Sequence, residues 1–129
     1  MPLVTISVLK GRDAATRRRL QMAIHQSLVE AFGVPDQDHN IRVVQYSPED
    51  WLLPPGKSES YTLVEIVAFE GRSAQAKGRL YEMVVEKLGA EGVPAMDVFV
   101  QIVEQPRENW GIRGGKRADL VDLGYTVKV

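Results

Sequence analysis

The second half of the 129-residue sequence repeats the first. An offset of 60 positions aligns Leu3-Val4 with Leu63-Val64, Ile6 with Ile66, Gly11-Arg12 with Gly71-Arg72, Arg19-Leu20 with Arg79-Leu80, and Leu28 with Leu88. After the loss of one residue, an offset of 59 aligns Gly33-Val34-Pro35 with Gly92-Val93-Pro94, Asp38 with Asp97, Val44 with Val103, Trp51 with Trp110, and Gly56-Lys57 with Gly115-Lys116. Two copies are too few for a repeat array, so each must bury its apolar face against the other. We therefore expect one domain over residues 1–129, made of two repeats at about 2–60 and 61–129.

Each repeat has the pattern of a strand, a helix and a second strand. Short β-branched runs at 2–9 and 62–69 each lead into a Gly-Arg turn, which is typical of strands that end there. Asp13 and Ser73 are candidate N-caps for the helices that follow, and Gly33, with Gly89 or Gly92, is a candidate helix stop. Second strands are predicted at about 40–46 and 98–104.

Two such units predict an α+β fold. Right-handed β-α-β crossovers place both helices on one face of a four-stranded sheet. The other face would carry Leu3 or Val4 and Val43 or Val44, which are too apolar to remain in water. This pattern predicts self-association through the uncovered face.

Two segments are not accounted for by the repeats. Residues 47–61 hold three prolines and a glycine and predict a long loop, of the kind that often lines a site. Residues 121–129 end in alternating apolar and polar side chains, which favours an edge strand that pairs with a neighbouring copy.

Pro2 is the first candidate for chemistry. If Met1 is removed, as expected for a small second residue, Pro2 carries a free secondary amine. An α-amino group titrates at about 7.7–8.0, against about 10.4 for lysine, and can therefore act as a base near neutral pH. Thr62 stands at the corresponding position of the second repeat, but its nitrogen is an amide. Each chain would then have one competent site and one inactive counterpart.

Composition narrows the classes of function. A net charge of -1 with 26% charged residues argues against nucleic acid or an anionic membrane as a partner. With no cysteine, disulfides and thiol chemistry are excluded. His25 and His39 lack a further ligand at metal spacing, so no metal and no cofactor are expected. No apolar run has the length of a membrane span, and a cytoplasmic protein is expected.

Three features together resemble the tautomerase superfamily: Pro2 at the start of a strand, the turn Glu70-Gly71-Arg72-Ser73 with Lys77 after it, and the run Asn109-Trp110-Gly111-Ile112-Arg113-Gly114-Gly115. The resemblance covers essentially the whole chain. It is strongest to the fused, double-length members related to malonate semialdehyde decarboxylase and cis-3-chloroacrylic acid dehalogenase. The run Ala31-Phe32-Gly33-Val34-Pro35 with Asp38 is similar to the decarboxylase branch. The resemblance implies a homotrimer with an amino-terminal proline at each active site.

The resemblance also implies roles for five residues. Pro2 matches the catalytic proline, and Arg72 matches the arginine that binds the substrate carboxylate. Asp38 matches the aspartate with which the decarboxylases position or polarise water and substrate. Trp110 matches an aromatic wall of the pocket, and Arg42 occupies the place of a second arginine that could reach a neighbour's site.

The sequence also departs from the specialised branches. Their second arginine near the end of the third strand is replaced here by Phe69 and Glu70, and the tail lacks the dehalogenase glutamate. The first prediction is therefore a cofactor-independent tautomerase acting on a small 2-keto or enol carboxylic acid. Decarboxylation of a β-keto acid such as malonate semialdehyde, or a non-catalytic trimeric binding module, are the alternatives.

Overall fold

The computed structural model describes residues 2–129; the expected removal of Met1 falls outside the described residues. The main elements follow the order strand, helix, strand in each repeat. They are β1 (Leu3–Leu9), α1 (Ala14–Phe32), β2 (Ile41–Tyr46), β3 (Thr62–Phe69), α2 (Ala74–Ala90), β4 (Val98–Gln105), and the short strands β5 (Gly111–Ile112) and β6 (Lys116–Arg117). The predicted α+β class with two helices and a four-stranded sheet is confirmed.

The sheet is mixed, with the strand order β2-β1-β3-β4. Each repeat contributes one parallel pair, β1 with β2 and β3 with β4. The repeats join at the centre, where β1 and β3 run antiparallel and Leu3 faces Val67 while Val8 faces Thr62. The beginning of one repeat's first strand therefore lies beside the end of the other's.

Local signals for the helices are also confirmed. The side chain of Asp13 accepts a hydrogen bond from the Thr16 amide at 2.8 Å, and Ser73 accepts one from Ala76 at 3.1 Å. Gly33 ends α1 with a left-handed φ of 68°. In the second repeat Gly89 lies inside α2. Within residues 2–129, no helix combines the length and apolarity needed to cross a membrane.

The main core lies between the helices and one face of the sheet. Its buried side chains come from both repeats and include Val4, Ile6, Val8, Leu20, Ile24, Leu28, Val64, Ile66, Leu80, Val84 and Leu88. Val43 packs against this core. The opposite face leaves Val44, Phe99 and Val103 exposed, so an apolar sheet surface is uncovered in the single chain.

The prediction of an edge strand in the tail is wrong for this chain. Residues 121–129 form no strand; instead the tail folds back onto its own chain. The Val129 amide donates to the Gly71 carbonyl at 3.3 Å, and the Ser73 amide donates to the Val129 carbonyl at 3.4 Å. Gly71 has a φ of 131°, and a Cβ there would lie 3.3 Å from side-chain carbons of Val127 and Lys128. The turn therefore needs glycine both for its backbone and for the close approach of the tail.

The duplicated core predicts equal sensitivity at equivalent positions. Leu20→Ala and Leu80→Ala each remove a fully buried side chain, so each should lower the free energy of unfolding by about 2–5 kcal/mol. Leu52→Ala removes a side chain that is 99% exposed and should change it by less than about 0.5 kcal/mol. Urea unfolding at one protein concentration measures all three. A loss at only one of the two buried leucines would contradict a core shared equally by the repeats.

Candidate active site

Pro2, Asp38 and Arg72 lie at the same end of the sheet, which we call the Pro2 end. Pro2 is buried and directly precedes β1, whose start pairs with the end of β3. Arg72 follows β3 by three residues. The Val4 amide donates to the Asn40 carbonyl at 3.0 Å and so fixes the segment after Asp38 to the start of β1. Antiparallel pairing thus brings together three residues that are far apart in sequence.

Arg72 is a buried cation whose guanidinium is only partly bonded by protein. Its residue is 6% exposed. Nη1 donates to the Phe69 carbonyl at 3.0 Å, and the guanidinium lies 4.9 Å from the centre of the Phe32 ring. Nε and Nη2 are buried and make no hydrogen bond of normal geometry within residues 2–129. Buried donors of this kind need partners, and a carboxylate would fit two of them at once.

The surroundings of Arg72 keep it available to an anion. Burial lowers the pKa of Arg72 from its ordinary value, while Tyr125 and Glu104 act in the opposite direction. Arginine starts from so high a pKa that it remains charged at neutral pH. Glu104 is bound to Lys77, with Nζ and Oε1 2.5 Å apart. The Lys77 of the motif is therefore held by a protein carboxylate.

A cavity of about 220 Å³ opens at the same end. Asp38, Arg113 and Tyr125 line it together with apolar residues that include Ile112 and Leu123. Burial raises the pKa of Tyr125, and the Arg72 guanidinium opposes that rise while Asp38 adds to it. Tyr125 therefore interacts with both predicted site residues.

Sequence reasoning missed Tyr125 and Arg113. Arg113 has a φ of 49°, the only positive value at a non-glycine residue between 2 and 129, and its Nη1 donates to the Asp122 carbonyl at 3.0 Å. Both residues come from segments after β4 whose folding depends on tertiary contacts. The available signal was that Arg113 interrupts a glycine-rich turn.

Trp110 forms one wall behind this end of the sheet. Its ring meets Phe69 edge to face, with the ring centres 4.9 Å apart. It packs in a small cluster with Ala118, Val127 and Tyr125. The cluster links the end of β3 to the tail, so Trp110 helps to place Tyr125.

Arg42 pairs with Thr5 near the start of β1, but its side chain lies on the other face of the sheet from the core. It is exposed on β2, and its Nη2 donates to the Thr5 hydroxyl at 3.0 Å. Strand alternation puts it on the uncovered face of the sheet, opposite to Val4 and Val43. Its predicted contact with a neighbour's site therefore stays a prediction.

The opposite end, which we call the Thr62 end, holds the repeated counterparts Thr62, Arg12 and Asp97. Asp97 accepts hydrogen bonds from the Ser58 amide, at 3.1 Å, and from the Ser58 hydroxyl, which lower its pKa. The Thr62 hydroxyl donates to the Ser60 carbonyl at 2.9 Å. Loop 47–61, which the sequence suggested could line a site, therefore supplies residues to the Thr62 end within one chain.

The two histidines line a different cavity from the one that Asp38 and Tyr125 line. His25 is buried, with Nε2 2.6 Å from the Asp36 carbonyl oxygen, and its ring centre is 5.0 Å from that of His39. No group of three or more candidate ligands in residues 2–129 is arranged to hold a metal ion. We assign both histidines to the packing of α1 against the segment before β2.

Comparison with known proteins identifies both halves of the chain. One tautomerase enzyme family model matches residues 2–58, and a second matches residues 52–113. The protein named "Probable tautomerase YrdN" from Bacillus subtilis is 30% identical over 122 residues, covering 90% of this chain and 94% of that protein.

Solved structures of similar fold also match this chain. A malonate semialdehyde decarboxylase is 29% identical, with a TM-score of 0.84 over 92% of this chain and 99% of the other. A fused 4-OT protein, solved as a symmetric trimer, has a TM-score of 0.77 over 91% of this chain and 96% of the other; at 22% identity it shows the fold. The chain belongs to the tautomerase family, as a double-length member made of two repeats.

Proposed function

We propose that the protein is a cofactor-independent tautomerase that moves a proton between carbon and oxygen on a small 2-keto or enol carboxylic acid. The observation that carries this proposal is the buried guanidinium of Arg72, whose Nε and Nη2 bond no carboxylate of residues 2–129, at the end of the sheet that holds Pro2. Arg72 would bind the substrate carboxylate. Pro2 would be the acid-base group.

The chemistry follows from the properties of the two residues. A neutral Pro2 nitrogen takes a proton from the carbon next to the substrate carbonyl, so that an N–H bond forms and a C–H bond breaks. The C–H electron pair forms a carbon-carbon double bond, and the carbonyl pair moves onto the oxygen. The proton is then returned to a different atom. The nearby Arg72 cation disfavours protonation of the amine. General-base action of this kind typically contributes about 10²–10⁴ in rate.

Asp38 and Trp110 have supporting roles in this proposal. Asp38 lines the cavity and can accept a hydrogen bond from a substrate or water that lies there. Trp110 holds the apolar cluster behind Arg72 and so limits access of water. The family resemblance implies that Asp38 positions or polarises water and substrate and that Trp110 is a wall of the pocket, and both roles stay predictions.

Decarboxylation of a β-keto acid is the second candidate. It is favoured by the position of Asp38 in the cavity and by the 29% identity to a malonate semialdehyde decarboxylase. Phe69 and Glu70 stand where that branch carries a second arginine, which counts against it. A non-catalytic trimeric binding module is the third candidate, in which the Pro2 end would bind a carboxylate without turning it over.

We also propose that the protein is a homotrimer. The uncovered sheet face exposes Phe99, Val44 and Val103, and apolar surface of this kind is usually buried between subunits. A fused protein of the same fold forms a trimer. In such an assembly Arg42 would face a neighbouring copy.

The first prediction from the proposed function concerns Pro2. Protein shown by intact mass to lack Met1 should ketonise enol-phenylpyruvate, and Pro2→Ala should lower kcat by about 10²-fold or more because the secondary amine is lost. Ultraviolet absorbance measures the rate. Protein that retains Met1 is the matched control, since its Pro2 nitrogen is an amide, and it should be equally slow.

Three other results would replace this proposal. Full activity of Pro2→Ala would remove proline from the mechanism. Faster release of carbon dioxide from malonate semialdehyde than ketonisation of enol acids, by the same preparation, would make the decarboxylase the main activity. Absence of both activities would leave the binding module.

The second prediction compares the duplicated arginines. Arg72→Ala removes the buried guanidinium that would donate hydrogen bonds to the substrate carboxylate. It should lower kcat/KM by about 10²-fold or more, mainly through KM. Arg12→Ala removes its counterpart at the Thr62 end and should change kcat/KM by less than about threefold. Steady-state kinetics on enol-phenylpyruvate measure both variants. Equal losses in the two variants would contradict the assignment of a single competent site.

The third prediction concerns assembly. Sedimentation should give three times the chain mass for the unmodified protein. Phe99→Glu should shift the population to smaller species, because it places a charge on the uncovered sheet face. Met22→Glu, on the exposed surface of α1, is the matched control and should leave the mass unchanged. A monomeric wild-type protein would contradict the trimer.

A further inference from the structure

The tail brings a hydroxyl group to the Pro2 end that the repeats do not provide. Tyr125 lies beyond the last aligned pair of the duplication, which ends at Gly115 and Lys116. It lines the same cavity as Asp38 and interacts with the guanidinium of Arg72. No counterpart of this contact follows from the repeated sequence.

We propose that Tyr125 is a further catalytic residue, whose hydroxyl donates a hydrogen bond to the substrate oxygen that becomes negatively charged in the enolate. The inference rests on the proposed function, in which Arg72 holds the carboxylate and Pro2 moves the proton. Tyr125 is added as the group that stabilises the negative charge formed on the substrate while Pro2 moves the proton.

The position of Tyr125 follows from how the tail is attached. Val129 is hydrogen-bonded to Gly71 and Ser73, on either side of Arg72 in sequence. Val127 is buried against Phe69 and Ala118, and Tyr125 packs against that cluster. The ring is thus held by packing and the tail by its backbone, so the hydroxyl needs little ordering when a substrate arrives.

The geometry of a 2-keto acid explains why this place suits a donor. The keto carbon is bonded directly to the carboxylate carbon, so the keto oxygen lies next to the carboxylate that Arg72 would hold. A donor for that oxygen must therefore lie beside Arg72 and face the cavity. Tyr125 meets both conditions.

The other polar groups are less suited to this task. Nε and Nη2 of Arg72 can each donate to one of the two oxygens of a carboxylate. An ionised Asp38 can only accept hydrogen bonds. Tyr125 can donate, and its raised pKa keeps it protonated through neutral and mildly alkaline pH. When Pro2 takes the carbon proton, the C–H pair forms the new carbon-carbon double bond and the carbonyl pair moves to oxygen; Tyr125 keeps its own proton throughout.

The first test separates turnover from binding. Tyr125→Phe removes only the hydroxyl and should lower kcat on enol-phenylpyruvate by about 10²-fold, the usual cost of losing one donor to a developing oxyanion. KM should change by less than about threefold, because Arg72 still binds the carboxylate. Tyr81→Phe, on the exposed side of α2, is the matched control and should keep the wild-type kcat. A wild-type kcat in Tyr125→Phe would overturn the proposal.

The second test does not need turnover. Oxalate carries a second anionic oxygen next to its carboxylate, as the enolate does, whereas acetate has the carboxylate alone. NMR titration should show that Tyr125→Phe weakens oxalate at least about tenfold and leaves acetate unchanged. Equal weakening of both anions would indicate a general disturbance of the pocket and overturn the proposal, as would no change in either. If the wild-type protein lacks Pro2-dependent ketonisation but oxalate is weakened selectively, the proposed function fails while the donor role of Tyr125 stands.

Discussion

The antiparallel pairing of β1 with β3 is the interaction on which the site depends. Within one repeat, Pro2 and its own Gly-Arg turn stand at opposite ends of a strand. Pairing the two first strands head to tail places the start of one beside the turn that follows the other. A duplicated sequence can in this way assemble a pocket from distant residues. At each end of the sheet, one repeat supplies the start of its first strand and the other supplies its Gly-Arg turn.

The same symmetry makes the difference between the two ends informative. Both ends have the arginine of a Gly-Arg turn and an aspartate before a strand. At the Thr62 end, Ser58 binds the aspartate and Ser60 accepts from the threonine hydroxyl. At the Pro2 end, the arginine is buried, no carboxylate of residues 2–129 bonds its Nε or Nη2, and Tyr125, which interacts with it, lines a cavity. The repeated residues are therefore compatible with the fold at both places, and their surroundings set what each can do.

The helices and strands could be predicted from sequence because local rules determine them. Asp13 and Ser73 cap the two helices through their own side chains, and the pattern typical of a strand is present in both repeats. Pro2 and Arg72 were predicted as site residues from a motif with a chemical rationale; the structure brings the segments that hold them together, and their roles stay a prediction. The tail did not follow, because its alternating side chains also suit an edge strand, and the choice between strand and folded-back tail depends on Gly71. Tyr125 was missed for the same reason, as its role depends on where the tail is attached.

Gly71 makes two distant parts of the chain, its own turn and the end of the tail, depend on each other. Any larger residue there would push against Val127 and Lys128, so the turn and the last residues of the tail must change together or remain as they are. Leu123 and Tyr125 come just before these anchored residues; they line the cavity and pack against Val127 and its neighbours. A change at position 71 would therefore alter the shape of the cavity as well as the turn, although Gly71 does not itself line that cavity.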